Sequence, residues 1–184
     1  MRNLKKGEKL ATLPGVVLMP LDLTDPQLIR DTCKRALEQY DVDVLFNNAG
    51  YGIMGPFEKL PEEEIRKVFD TDVIGTMLVT QQFIPHFKKR KGGFIFTTTS
   101  LAGIIALPRD GAYGAAKRAH QGMVESLYYE LKPFGVKVAA MIPGGTKTNF
   151  QNPTDHVCQK LYDQYIRTGM EAFKCQLFER LFQE

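Results

Sequence analysis

Tyr113 and Lys117 stand four residues apart in a stretch of helical periodicity, which puts both side chains on one helix face. An ammonium beside a phenol favours tyrosinate and pulls the phenol down from its usual value near 10. A phenol tuned in this way passes a proton to or from an alcohol oxygen. Ser100, at the end of the apolar run 93–98, offers a hydroxyl to the same oxygen. The three residues suit interconversion of an alcohol and a carbonyl, with hydride passing to or from a bound cofactor. The Tyr-x-x-x-Lys spacing alone marks only a shared helix face, so its meaning depends on what positions it.

Four apolar runs predict strands: Val16–Leu21, Val42–Phe46, Gly93–Thr98 and Val136–Ile142. Helical patterns separate them. One follows Asp25-Pro26, an N-cap residue with Pro at the first helical position, and runs to Tyr40. A second runs from Pro61 to Arg90 with the stripe Ile65, Val68, Phe69, Thr76, Val79, Phe83 and Phe87. A third runs from Ala112 to Lys132. Alternating strands and helices predict an α/β fold, a parallel sheet covered by helices. In such sheets ligands bind beyond the carboxyl ends of the strands. Asp22, Asn47, Ser100 and Pro143-Gly144 occupy those ends.

The 184 residues suit one domain with an appendage. Lys plus Arg number 24 against 21 Asp plus Glu, a net charge of +3 that gives no reason to expect a nucleic-acid partner. The basic run Lys88–Lys91 reads as a solvated helix end. No apolar run reaches the ~18 residues of a membrane span, and MRNLKKGEKL is not a signal peptide. Cys33, Cys158 and Cys175 form no disulfide or zinc pattern, so a cytoplasmic location is expected. His86, His120 and His156 lack mutual metal-ligand spacing. The tail stripe Val157, Leu161, Tyr165, Phe173, Leu177 and Leu181 predicts helix packed over the substrate side of the crevice, with a membrane surface or a partner helix as the alternatives.

From about Arg2 to Phe150 the chain resembles the short-chain dehydrogenase/reductase family. The motifs that carry the likeness are Asp22-Leu23 after a strand, Asn47-Asn48-Ala49-Gly50, Ser100 thirteen residues before Tyr113, Tyr113-Gly-Ala-Ala-Lys117, and Pro143-Gly144-Gly145-Thr146-Lys147-Thr148. The resemblance implies a Rossmann-like three-layer α/β/α fold over residues 1–150, with 151–184 as a C-terminal helical segment. It implies Tyr113 as general acid/base, Lys117 lowering its pKa and holding the nicotinamide ribose, and Ser100 orienting the substrate carbonyl. It implies Asp22, Leu23, Asn47 and Ala49 on the adenosine side of the cofactor. Pro143, Gly144, Thr146 and Thr148 would line the nicotinamide and phosphate side. The cofactor would be NAD or NADP, with NADP favoured by Arg2. The substrate would be a small alcohol or carbonyl compound, and residues 43–69 resemble the branch acting on steroids, retinoids and other lipophilic alcohols. Ile65–Phe87 and Val124–Leu131 resemble the family's dimerisation helices, which implies a homo-oligomer.

Two departures shape the expectations. The family's first strand and glycine-rich turn have no counterpart, and its last strand also has none, so the sheet is expected to be incomplete and the chain truncated. Val16–Leu21, whose usual partner strand is mostly missing, must then dangle, pair with another chain or shift beside Val42–Phe46. A catalytically silent chain that works as an interaction module stands as the alternative to an oxidoreductase. The second departure is Asp72, where the family usually has Asn. It lies 3, 4 and 7 residues from Phe69, Val68 and Ile65, on the apolar stripe. A carboxylate there must find a partner or protonate. It either pairs with Lys117 as an ion or serves as a neutral stand-in for Asn.

Overall fold

The computed structural model describes residues 1–146. Thr148, residues 151–184 and the tail stripe lie outside the described residues.

A short 3-10 turn over Leu4–Gly7 and a four-residue helix α1 (Glu8–Ala11) open the chain. Helix α2 (Pro26–Gln39) starts where the sequence predicts. The Asp25 carboxylate accepts from the Gln27 and Leu28 amides at 3.0 and 2.9 Å, and Pro26 needs no donor partner there. Strand β1 (Val44–Asn47), strand β2 (Gly93–Thr98) and strand β3 (Val136–Met141) form one parallel sheet in the order β1-β2-β3. Val44 lies opposite Phe94, and Gly93 opposite Val136.

Between β1 and β2 the predicted single helix is three segments. Helix α3 (Glu62–Val68) passes into a π-helical stretch, Phe69–Gly75, and then into α4 (Thr76–Arg90). Helix α5 (Gly111–Leu131) joins β2 to β3. Right-handed crossovers that step the same way across a sheet leave their helices on the same face. α4 and α5 therefore share one face of the sheet and contribute to one core, and α2 packs on α4. Ile29 and Cys33 of α2, Val79, Phe83 and Phe87 of α4, and Val124 and Leu131 of α5 close over Ile95, Val136 and Val138. Each such buried side chain contributes roughly 1.5–3 kcal/mol. Among the described residues the opposite sheet face carries no helix. Val44, Phe46 and Met141 are exposed there, with Phe94 stacked on Phe96 at 4.1 Å between centroids.

The expected strand Val16–Leu21 is not formed. Beyond a local turn at Val16, its one backbone partner among the described residues is Met1: the terminal ammonium donates to the Met19 carbonyl at 2.5 Å, and the Leu21 amide donates to Met1 O at 3.2 Å. A strand needs a neighbour over several residues, and one residue supplies a single bridge. Thr32 Oγ1 ties the segment to α2 by donating to Pro20 O at 2.7 Å, and Leu21 and Leu23 pack against the core. The basic run ends α4 as read, except that Arg90 is engaged. It reaches Asp41 at 2.6 Å and Asp43 at 2.5 Å and anchors the entry to β1.

Candidate active site

The carboxyl ends of the three strands open into a cavity of about 890 Å³. Its walls include Asn48, Ala49 and Gly50 after β1, Thr98 at the end of β2 with Thr99 to Ala102 after it, and Pro143 to Thr146 after β3. Tyr113 and Lys117 enter from the first turns of α5.

Ser100 caps a 3-10 turn, its Oγ accepting from the Ala102 amide at 3.2 Å, and it also hydrogen-bonds Tyr113. The predicted meeting of Ser100, Tyr113 and Lys117 is therefore realised in space. Lys117 Nζ lies 5.6 Å from the Tyr113 ring centre and donates to the Thr98 carbonyl at 3.3 Å. Gly103 lets the turn after β2 close on α5, because a Cβ there would sit 2.9 Å from Lys117 O.

Asp72 is fully buried, and its Oδ2 stands 3.2 Å from Lys117 Nζ. Its Oδ1 accepts from the Tyr51 amide at 3.1 Å. Burial pushes the Asp72 carboxyl up, while the Lys117 charge and the Tyr51 amide pull it back. The residue lies in the π-helical stretch, a conformation found mostly as single turns at functional sites. Its backbone carbonyl accepts from His120 Nε2, so His120 carries its proton on that nitrogen. Burial and the Lys117 ammonium push His120 down to about 4, so the ring is neutral.

Burial raises the Tyr113 phenol above its ordinary value; the Ser100 hydrogen bond lowers it, and the Asp72 and Asp110 carboxylates raise it further. The expected lowering by Lys117 does not dominate, because that ammonium is matched by Asp72. In this arrangement Tyr113 holds its proton at neutral pH.

Three residues predicted on the adenosine side do not line the cavity. Asn47 is the last ladder residue of β1, and its Nδ2 donates to Thr80 Oγ1 at 2.8 Å under the helices. Its neighbour Asn48 faces the cavity instead and accepts from Thr98 Oγ1 at 2.9 Å. Asp22 closes a local turn by accepting from the Thr24 amide and hydroxyl at 3.0 and 2.8 Å. These bonds, the Thr24 amide first, hold its carboxyl low, and the nearby Arg2 charge adds to them. Leu23 lies against the π-helical stretch, where Gly75 leaves it room. Ala49, Pro143, Gly144 and Thr146 do line the cavity.

The sequence reading missed Asp110, a cavity residue three positions before Tyr113. Its place before a helix signalled only a cap. It missed Gly50 as well, where a Cβ would fall 2.6 Å from Asp72 Oδ2. Among the described residues no group of three His, Cys, Asp or Glu is arranged to hold a metal ion, and no helix is long and apolar enough to cross a membrane.

Residues 2–158 match the family model described as short chain dehydrogenase. An uncharacterized oxidoreductase of Schizosaccharomyces pombe is 32% identical over 90% of this chain and 75% of its own length. Human 17-beta-hydroxysteroid dehydrogenase type 1 is 38% identical over 90% of this chain, which spans 54% of that protein. The structure of an alcohol dehydrogenase from the archaeon Thermococcus sibiricus, complexed with 5-hydroxy-NADP, superposes with a TM-score of 0.70. It is 28% identical and covers 79% of this chain, and 62% of that chain is matched.

Proposed function

Because the chain belongs to the short-chain dehydrogenase family, we propose that it interconverts an alcohol and a carbonyl compound with a nicotinamide cofactor. The observation that carries this reading is the Ser100–Tyr113 hydrogen bond beside Lys117 in one cavity. When bound, the nicotinamide supplies or accepts the hydride. Tyr113 Oη gives a proton to the carbonyl oxygen in reduction and takes it back in oxidation. A buried phenol that keeps its proton at neutral pH suits the donor role. Ser100 Oγ holds the same oxygen, and Lys117 holds the ribose and steadies the tyrosinate as it forms.

The cavity fits the nicotinamide half of the cofactor. The backbone at Gly144 and Gly145 is open, with no heavy atom within 4 Å of where a Cβ would stand, and Ala49, Pro143 and Thr146 flank it. In this proposal Asp22, Leu23 and Asn47 serve the adenosine side without lining the cavity, and Thr148, outside the described residues, keeps the phosphate-side role that its motif implies. Arg2, close enough for Asp22 to sense its charge, supports NADP. Met54, Leu101, Leu107 and Met141 in the wall support a lipophilic substrate of steroid- or retinol-like shape. Exposed Ile74, Met77 and Tyr129 near or on α4 and α5 support a homo-oligomer, and the free, buried Cys33 suits a cytoplasmic setting.

A second reading, a catalytically silent interaction module, is favoured by the exposed Val44 and Phe46 on the sheet edge β1. Oxidation of NADPH and NADH with a panel of lipophilic ketones separates the two. Turnover is expected, and Tyr113→Phe should lower it by roughly 10²–10⁴-fold. Full turnover in that variant would overturn the assigned acid. No turnover by the folded wild type would favour the second reading.

A further inference from the structure

Asp110 occupies the N-cap position of α5, yet its side chain caps nothing. An aspartate at such a position ordinarily accepts from the first-turn amides. Here the residue is 8% exposed and lies in the cavity wall, and its Oδ1 has no hydrogen-bond partner. Tyr113 is one helical turn further on, close enough to feel the carboxylate's charge. Among the described residues, Asp110 and Lys117 are the two charged ones in the wall. Lys117 is matched by Asp72 at 3.2 Å, so the charge that the wall itself leaves unpaired is that of Asp110, which only Arg109 behind it offsets among the described residues. Arg109, outside the wall, pulls the Asp110 carboxyl down, but burial outweighs it and pushes the carboxyl up to about 6. A buried carboxylate short of donors is stabilised by whatever brings them.

We infer that Asp110 selects the substrate, and that the preferred substrate joins a lipophilic body, held by the apolar wall, to a protonated amine close to its reacting carbon. The inference rests on the catalytic reading for the identity of the reacting carbon. Asp110 and Tyr113 both line the cavity, Tyr113 one turn into the helix that Asp110 precedes, so a molecule whose oxygen meets Tyr113 presents its neighbouring atoms to the Asp110 side of the wall. An ammonium supplies both N–H donors and the opposite charge, and charge-assisted bonds are about twice as strong as neutral ones. A hydroxyl at the same place supplies a donor and leaves the charge unmatched.

The test compares α-aminopropiophenone with isobutyrophenone, in which a methyl replaces the amine, as substrates of the full chain with NADPH. The wild type should favour the amine by roughly 10–100-fold in kcat/KM. In Asp110→Asn that ratio should fall close to one. Equal use of the two ketones by the wild type, or a preference that survives in Asp110→Asn, overturns the inference. If neither ketone is reduced, the catalytic reading fails by itself, and binding of the same two compounds is compared by calorimetry. An amine preference lost in Asp110→Asn then upholds the inference, and no preference overturns it.

Discussion

Lys117 Nζ stands 3.2 Å from Asp72 Oδ2, with 4% and 0% of the two side chains exposed. The ammonium that the sequence assigns to Tyr113 is thus shared with a carboxylate one layer deeper. Asp72 raises the Tyr113 phenol, so Asp72→Asn should let that phenol titrate at lower pH. Ultraviolet difference titration, with Tyr113→Phe to identify the signal, reads this without turnover, and the pH–rate profile should move the same way. An unmoved titration would mean that Asp72 is neutral and stands in for Asn. If the pair is ionic, the same change also strands a buried ammonium and should cost roughly 3–5 kcal/mol of stability.

Asp110 titrates at about 6 in the folded chain against 3.8 ordinarily. The folded state therefore binds more protons between these values, and its stability falls as pH rises through that window. The loss is roughly 3 kcal/mol. Asp110→Asn removes it, so the variant should be more stable than wild type at pH 7.5 and equal to it below pH 4. Urea melts at the two pH values check both the sign and the size.

His120 has the opposite slope. It is neutral when folded, titrating at about 4, and ordinarily titrates near 6.5. The unfolded chain takes up the extra proton, so stability falls as pH drops from 6.5 toward 4, again by roughly 3 kcal/mol. His120→Leu should flatten that acid-side loss. At pH 8 it should cost roughly 1–3 kcal/mol, because the Asp72 carbonyl loses its donor. Over pH 4–6 the Asp110 and His120 slopes offset one another, so the wild type should show less pH dependence there than either variant.

Gly50→Ala tests how tightly Asp72 is held. The added Cβ would lie 2.6 Å from an oxygen that Lys117 fixes. Swinging away would cost that carboxylate its Lys117 partner at 3.2 Å and the Tyr51 amide at 3.1 Å. Destabilisation of roughly 1–3 kcal/mol is expected in thermal melts, of the size seen for overpacking.

Much of this arrangement is legible in the residues, and the exceptions have physical causes. The ends of β2 and the Asp25 cap are read directly, because local chemistry fixes them. Val16–Leu21 has strand composition but no neighbour to pair with, and pairing is not a local property. The π-helical turn at Phe69–Gly75 is invisible because the apolar stripe runs through it unbroken. At Asn47-Asn48 the ladder runs one residue beyond the apolar run, and with period-two alternation that extra residue exchanges which Asn faces the cavity. Asp110 shows a cap residue's signature while its side chain turns elsewhere.

The sheet has no hairpin. Val44 pairs with Phe94 and Gly93 with Val136, so every ladder partner is more than forty residues away along the chain. Neither pairing can form until an intervening loop has closed at an entropic cost, and the helices are the only elements able to form early. Folding should thus be led by α4 and α5, with the strands zipping last. The proposed catalytic groups straddle that order: Tyr113 and Lys117 travel on a helix, whereas Ser100 reaches them only when β2 docks.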